Sequence, residues 1–162
     1  MIVKKIITEL KDLEITGATL LSAEEYEKYK IKISSRKDYW WWLRSSGLSE
    51  SCAHYVNYCG YVSSRGDYVD NNYTAVVPAL KIILNSDFEI GDKIKFGDQT
   101  FTIISDNYAL CDDNIGYHCF REDWEESDSN DYEKSDIKKF IDDWFERSKK
   151  RNDNKSEEKG YM

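Results

Sequence analysis

Cysteine and histidine have the most distinctive chemistry of the residue types in this sequence, and they fall into two groups. One group is Cys52, His54 and Cys59, and the other is Cys111, His118 and Cys119. Zinc prefers thiolate and imidazole ligands, but structural zinc sites use closely spaced C-x-x-C pairs, which this sequence lacks. Neither group has the sequence context of a cysteine–histidine nucleophile. We therefore expect no metal and no cofactor, and we expect reduced thiols rather than a disulfide framework.

The motifs that mark common enzyme classes are absent from the chain. It contains no G-x-x-x-x-G-K-[ST], G-x-G-x-x-G, H-E-x-x-H or G-x-S-x-G. With two histidines, acid–base chemistry rests on carboxylates, and no pair of acids is marked out by an apolar setting. The sequence therefore predicts a protein that is not an enzyme.

The tyrosine-rich stretch Tyr55–Tyr73 is the strongest candidate for a ligand site. Val56, Val62 and Val69 alternate with polar and aromatic residues, which predicts short strands with the valines facing the core. Recognition surfaces favour Tyr for contact area at low entropic cost, and Asn and Ser for adaptable hydrogen bonds. The predicted ligand-binding residues are Tyr55, Asn57, Tyr61, Ser63, Arg65, Tyr68, Asp70 and Asn72. Six of them are expected to share the face opposite the valines: Tyr55, Asn57, Tyr61, Ser63, Tyr68 and Asp70. The alternative is a solvated hairpin face, where Tyr is also common.

The charge distribution excludes some partners and marks a second candidate surface. The net charge of -8 disfavours direct binding to nucleic acid, because phosphate contacts need a positive surface. Residues 1–84 carry 11 Lys and Arg against 10 Asp and Glu, whereas residues 85–162 carry 12 against 21. The run Glu122–Glu133 holds seven acids and no Lys or Arg, which predicts a solvated loop.

Hydrophobic patterning argues against a membrane protein. No apolar run approaches the roughly 20 residues of a membrane span. The N-terminal residues alternate apolar and charged side chains without an apolar central region, so we expect no signal peptide. The predicted location is the cytoplasm.

Local patterns in the first half predict a short helix and several strands. Ser22 and Glu25 fit a capping box, which starts a helix that ends near Tyr29. The run Trp40–Trp42 is interpreted as strand residues that pack in the core. The alternative is exposed rings that stack on carbohydrate or on bases.

Local patterns in the second half predict a β-meander followed by a helix. Gly97-Asp98 is a two-residue hairpin signal between Lys93–Phe96 and Gln99–Ser105, and Tyr108–Cys111 can add a third strand. Ser135 is the expected N-cap of the helix. Its apolar stripe consists of Ile137, Phe140, Ile141, Trp144 and Phe145. Phe140 lies at the centre of this stripe, so Phe140→Ala is expected to cost about 3–5 kcal/mol.

Together these patterns predict an α+β fold in one compact unit. Residues 1–84 form a Trp- and Tyr-rich half, residues 85–148 form an acidic meander with a C-terminal amphipathic helix, and residues 149–162 form a disordered tail.

Four short motifs follow one another in the first half of the chain. They are Trp41-Trp42-Leu43-Arg44-Ser45-Ser46-Gly47, Ala53-x-Tyr55-Val56, Gly60 and Ala75-Val76-Val77-Pro78-Ala79-Leu80. This order resembles an uncharacterised domain family of Gram-positive gut bacteria and their phages, with the signature W-W-L-R-S-P-G … G-V-R-P-A-L. Ser46 replaces the Pro of the signature, and Val77 replaces its Arg.

Segments between Gly91 and Lys138 resemble the other part of the same family, including Tyr132-Glu133-Lys134-Ser135-Asp136-Ile137-Lys138. In the family that part precedes the Trp-rich part, whereas here it follows. The order therefore looks circularly permuted, which folds with neighbouring termini tolerate.

The resemblance implies a C-type-lectin-like fold, similar to formylglycine-generating-enzyme relatives and to the variable proteins of diversity-generating retroelements. In those variable proteins, a stretch rich in Tyr, Asn and Ser displays changeable residues on a fixed scaffold. The resemblance implies no catalytic residues.

Two functions follow as hypotheses. The first is a phage- or bacterium-encoded binding module that presents Tyr55–Tyr73 to a protein or glycan ligand. The alternative is an acidic phage inhibitor, in which Glu122–Glu133 binds a basic surface of a host defence or nucleic-acid-binding protein. A phage origin implies the host cytoplasm, with the virion surface as the other location. The sequence predicts no particular oligomeric state.

Overall fold

The computed structural model describes residues 6–7, 13–33 and 37–160, with side chains described for residues 13–33 and 37–153. The strands of this part of the chain are β1 (Ile6–Ile7), β2 (Glu14–Thr19), β3 (Trp41–Ser46), β4 (Cys52–Val56), β5 (Asp67–Tyr68), β6 (Ala79–Ile83), β7 (Lys93–Phe96), β8 (Gln99–Ile103) and β9 (Tyr108–Cys111). Helix α1 spans Ala23–Tyr29 and helix α2 spans Asp136–Gly160. Short 3₁₀ turns occupy Lys30–Lys32 and Tyr132–Lys134. The combination of helices with mostly antiparallel strands confirms the α+β class.

Six strands form the main sheet, in the order β1-β7-β8-β9-β6-β2. Neighbouring strands are antiparallel except for β1 and β7. Phe96 pairs with Gln99, so Gly97 and Asp98 form the predicted two-residue turn, and Gly97 has the positive φ of 62° that such turns need. Strands β2 and β6 precede residue 84 and lie in one sheet with β7, β8 and β9, so the two compositional halves share this sheet.

Three strands form a smaller sheet, in the order β3-β4-β5. Trp41 and Trp42 of β3 are both buried, which confirms the core interpretation for these two residues. They point to opposite sides of the sheet. The Trp41 ring packs edge-on against Tyr26 of α1, and the Trp42 ring packs against Phe120, with centroid distances of 5.4 and 5.6 Å. The small sheet is therefore covered on both faces at this point.

Helix α1 starts with the predicted capping box and is fixed onto β3. Ser22 Oγ accepts from the Glu25 N–H at 3.0 Å, and the Ser22 N–H donates to the Glu25 carboxylate at 2.9 Å. The same carboxylate forms an ion pair with Arg44 of β3. Burial acts to raise the pKa of Glu25, but the hydrogen bonds from Arg44 and from the Ser22 N–H hold this pKa below its usual value.

Helix α2 covers one face of the main sheet with the predicted stripe. Ser135 Oγ accepts from the Lys138 N–H at 3.1 Å, as expected of an N-cap. The buried members of the stripe are Ile137, Ile141 and Phe145. Phe140, expected at its centre, is only half-buried and stacks on His118 at 4.7 Å. The buried residues of the stripe are spaced i, i+4 and i+8, and Phe140, at i+3, lies at its edge. We therefore expect Phe140→Ala to cost less than the 3–5 kcal/mol predicted from the sequence.

Helix α2 also continues past residue 148, where the sequence predicted a disordered tail. The structure gives helix to Gly160, and no proline interrupts this segment. Asn152 Oδ1 accepts from the Gly97 N–H at 2.9 Å, and Arg151 pairs with Asp98. The extension is thus tied to the β7–β8 turn, a long-range contact that local sequence does not reveal. None of the helices in the described part of the chain is long and apolar enough to cross a membrane.

Candidate interaction surface

The tyrosine-rich stretch begins as a hairpin that extends β4. The Asn57 N–H donates to the Tyr61 carbonyl at 2.9 Å, and the Ser63 N–H donates to the Tyr55 carbonyl at 3.0 Å. Val56 forms a bridge with Val62. Cross-strand partners share a face, so Tyr55, Asn57, Tyr61 and Ser63 lie together opposite the two valines. This is the arrangement that the valine alternation predicts.

The turn of this hairpin is held from two sides. Asn57 Oδ1 accepts from the N–H groups of Cys59 and Tyr61, at 2.9 and 3.1 Å. The Tyr26 hydroxyl of α1 donates to the Gly60 carbonyl at 2.6 Å. The Asn57 side chain therefore shapes the turn rather than standing free for a ligand, as Asn commonly does in tight turns.

Two residues outside the predicted set complete an aromatic cluster at this hairpin. The Trp40 ring stacks on the Tyr55 ring with a centroid distance of 4.5 Å and an interplanar angle of 26°. The centroid of the Tyr58 ring lies 6.0 Å from that of Trp40. Tyr58 and Tyr61 are 59% and 66% exposed. We call the aromatic residues Trp40, Tyr55, Tyr58 and Tyr61 the hairpin patch. The even spacing of Trp40 and Trp42 is a signal for a shared face, but Trp40 precedes β3 and is only partly buried.

The remaining predicted residues lie elsewhere, and Tyr68 lies on the other face of the small sheet. Tyr68 pairs with Cys52, and Asp67 pairs with Ala53. Cys52 alternates with Val56 along β4, so its partner Tyr68 shares the valine face and not the face of Tyr55. The prediction that Tyr68 shares the face of Tyr55 was wrong. A turn at Gly66, whose φ is 86°, interrupts the edge strand and changes which side chains point to which face of the sheet.

The predicted residues thus form two groups at opposite ends of β4. Cys52 and Asn57 are five steps apart along the strand, which corresponds to about 16 Å at roughly 3.3 Å per residue. The hairpin patch lies at one end. Arg65, Tyr68 and Asp70 lie at the far end. These three residues and Asn72 are exposed.

The far group borders the acidic segment. The Val69 N–H donates to the Ser51 carbonyl, and the Arg121 N–H donates to the Val69 carbonyl, both at 2.8 Å. Glu122–Asp128 is exposed and includes Trp124, which is 51% exposed. The expected solvated loop stops there, because Ser129 and Tyr132 are buried.

The cysteines and histidines do not form a reactive group in the described part of the chain. All four cysteines are free thiols, and Cys59 is the exposed one. Burial raises the pKa of Cys111 to about 12 and that of Cys119 to about 11, so both thiols are neutral near pH 7. His118 Nδ1 bonds to the Cys119 carbonyl at 2.7 Å. No group of three or more His, Cys, Asp or Glu among the described residues is placed to hold a metal ion.

Comparisons of the chain with protein-family models, with curated proteins and with solved structures found no match. The geometry of the surface is therefore what indicates a function.

Proposed function

We propose that this protein is a non-enzymatic binding module that presents the hairpin patch to a protein or glycan ligand. The observation that carries the proposal is the pair of exposed tyrosines, Tyr58 and Tyr61, on a turn fixed by Asn57 and by the Tyr26 hydroxyl. Single exposed aromatic rings are common on protein surfaces, but rings gathered in one contiguous patch more often mark an interaction site.

Rigidity is what makes these rings suitable anchors. A tyrosine has two side-chain torsions, and a turn that is already ordered loses little further entropy on binding. The Trp40 ring supports the cluster by stacking on Tyr55. Tyr and Trp are also the residue types that most often dominate binding energy at protein interfaces. The patch offers flat rings for stacking and hydroxyl groups for hydrogen bonds, and these suit a protein loop or a sugar ring equally.

We extend this proposal to the fold family and location. The small sheet with its aromatic hairpin is the counterpart of the Tyr-rich display surface of C-type-lectin-like variable proteins. The support is the Trp41–Gly47 motif and the later Pro78-Ala79-Leu80, which resemble the phage and bacterial family described above. The module then acts in the cytoplasm of the bacterium or phage host, or on the virion surface.

The acidic loop Glu122–Asp128 supports a second candidate function, inhibition of a basic host protein. Its acids are exposed, and the exposed Trp124 ring lies among them. A charged loop with an aromatic residue can bind a basic partner, and such binding weakens steeply with salt.

The two functions are separated by two variants and a matched control. Tyr58→Ala with Tyr61→Ala removes the exposed rings of the hairpin patch, and Glu125→Gln with Glu126→Gln and Asp128→Asn removes charge from the loop. Tyr68→Ala is the control, because Tyr68 is 63% exposed at the other end of β4. Each immobilised variant is incubated with host lysate and a glycan array, at low and at high salt.

The proposed function predicts that a bound species disappears with the tyrosine double variant, persists with Tyr68→Ala and survives high salt. Loss of binding with the acid variant and at high salt, but not with the tyrosine variant, establishes the inhibitor function instead. Binding that none of the variants changes contradicts both.

A further inference from the structure

A cavity of about 120 Å³ lies on the face of the main sheet opposite α2. Lys93, Thr102 and Leu110 form a cross-strand row on β7, β8 and β9, and all three line the cavity. The alternate residues Phe96 and Phe101 contact α2 on the other face. Ile33 and Lys37, which precede β3, also line the cavity. We call this cavity the lysine pocket; it is separate from the hairpin patch.

Two ammonium groups enter the lysine pocket and share one acidic residue. Lys93 Nζ donates to Thr102 Oγ1 and to Asp112 Oδ2, each at 2.8 Å. Lys37 Nζ donates to the Asp112 carbonyl at 2.7 Å and to the Cys111 carbonyl at 3.4 Å. A lysine ammonium has three N–H donors, so each of these lysines keeps one donor for another acceptor.

The charge in the lysine pocket is not balanced. Its lining holds two ammonium groups and one carboxylate, and the Cys111 thiol is neutral because burial raises its pKa to about 12. Burial lowers the pKa of Lys37, and the neighbouring ammonium group of Lys93 lowers it further, although Asp112 and Asp113 act in the opposite direction. A second anion placed between the ammonium groups therefore gains more than it does in water.

We propose that the lysine pocket binds a short-chain aliphatic carboxylate. The spare N–H groups of Lys37 and Lys93 hold the carboxylate, and its alkyl chain lies against Ile33, Ile104 and Leu110. A cavity of about 120 Å³ is of the right size for a small acid such as acetate, propionate or butyrate. The side chains of Lys93 and Asp112 are 31% and 33% exposed, so the site is open to solvent.

The test is an NMR titration of the isotopically labelled full chain with acetate, propionate and butyrate at constant ionic strength. We expect saturable shifts of the Ile104 and Leu110 methyl signals, and only small linear shifts with sodium chloride. Lys37→Met weakens binding at least tenfold. The matched control Lys95→Met, at an exposed position on β7, leaves binding unchanged.

A second variant tests the apolar side without touching a charge. Ile33 is only partly buried, so Ile33→Ala keeps the fold and enlarges the pocket. It should move the preference toward the longer acid, with butyrate gaining on acetate at least threefold. Circular dichroism checks that each variant is folded. The proposal is overturned by non-saturable shifts in the native chain, or by folded Lys37→Met and Ile33→Ala proteins that bind the acids as the native chain does.

Discussion

Replacing Ile141 by alanine tests how α2 packs on the main sheet. Ile141 is fully buried, whereas its neighbour Phe140 is half-buried against His118. Ile141→Ala removes three carbon atoms, about 2.4 kcal/mol at ~0.8 kcal/mol each. The cavity left behind adds to this, so we expect a loss of about 3–4 kcal/mol in the free energy of unfolding. Phe140→Ala, although it removes more atoms, should cost about 1–2 kcal/mol because its ring is only partly buried.

Urea unfolding followed by circular dichroism measures both effects. With a slope of about 2 kcal/mol per molar urea, Ile141→Ala should lower the midpoint by about 1.5–2 M. Asp143→Ala, on the exposed side of the same helix, is the control and should change stability by less than about 0.5 kcal/mol. If Phe140→Ala is more costly than Ile141→Ala, or if Ile141→Ala behaves like the control, the packing described for α2 is wrong.

Three further predictions test other parts of the fold. Native protein should react with a thiol reagent rapidly at one position per chain, Cys59, and at all four cysteines only after denaturation; four fast thiols in native protein contradict the structure. Gly97→Ala should strongly destabilise the fold, because Gly97 has a φ of 62° and an added Cβ would lie 2.7 Å from Ser148 Oγ. Gly17→Ala is the control and should be tolerated, because its Cβ would lie 3.8 Å from the nearest atom. Equal melting temperatures for the two variants refute this. The pKa of Glu25 is lowered in the folded state, so its charge stabilises the fold at any pH above the usual pKa of a glutamate. The stability that the native chain has over Glu25→Gln should therefore decrease as the pH falls through the lowered pKa. A difference in melting temperature that does not depend on pH contradicts this.

The features predicted correctly from the sequence depend on contacts between residues close together in the chain. The capping box of Ser22 and Glu25, the Gly97-Asp98 turn and the N-cap at Ser135 each involve at most four consecutive residues. The hairpin face of Tyr55, Asn57, Tyr61 and Ser63 follows from alternation across a single turn. Such local rules hold wherever tertiary structure does not override them.

The features that sequence patterns missed depend on distant contacts. The face on which Tyr68 lies depends on the register with which the chain re-enters the sheet after Gly66. A shift of one residue moves each side chain to the opposite face. The helical tail depends on Arg151 and Asn152 meeting the β7–β8 turn. The lysine pocket needs Lys37 and Asp112, which are 75 positions apart, and no spacing rule joins them.

The hairpin patch is assembled in the same way, since Trp40 reaches Tyr55 only through the pairing of β3 with β4. Alternation along one strand predicts a face but not the neighbours that extend it. Tyr58 lies in the turn itself, where alternation does not apply, and its exposure becomes evident only in the structure.

The most direct test of the proposed binding role is a calorimetric titration of the purified ligand with two folded variants. Tyr58→Ala with Tyr61→Ala should lose about 2 kcal/mol or more of binding free energy, roughly a 30-fold weaker Kd, if either ring is an anchor. Tyr68→Ala, with an equally exposed ring at the far end of β4, should bind as the native chain does. Unchanged affinity in the double variant, together with weakened binding in Tyr68→Ala, contradicts the assignment of binding to the hairpin patch.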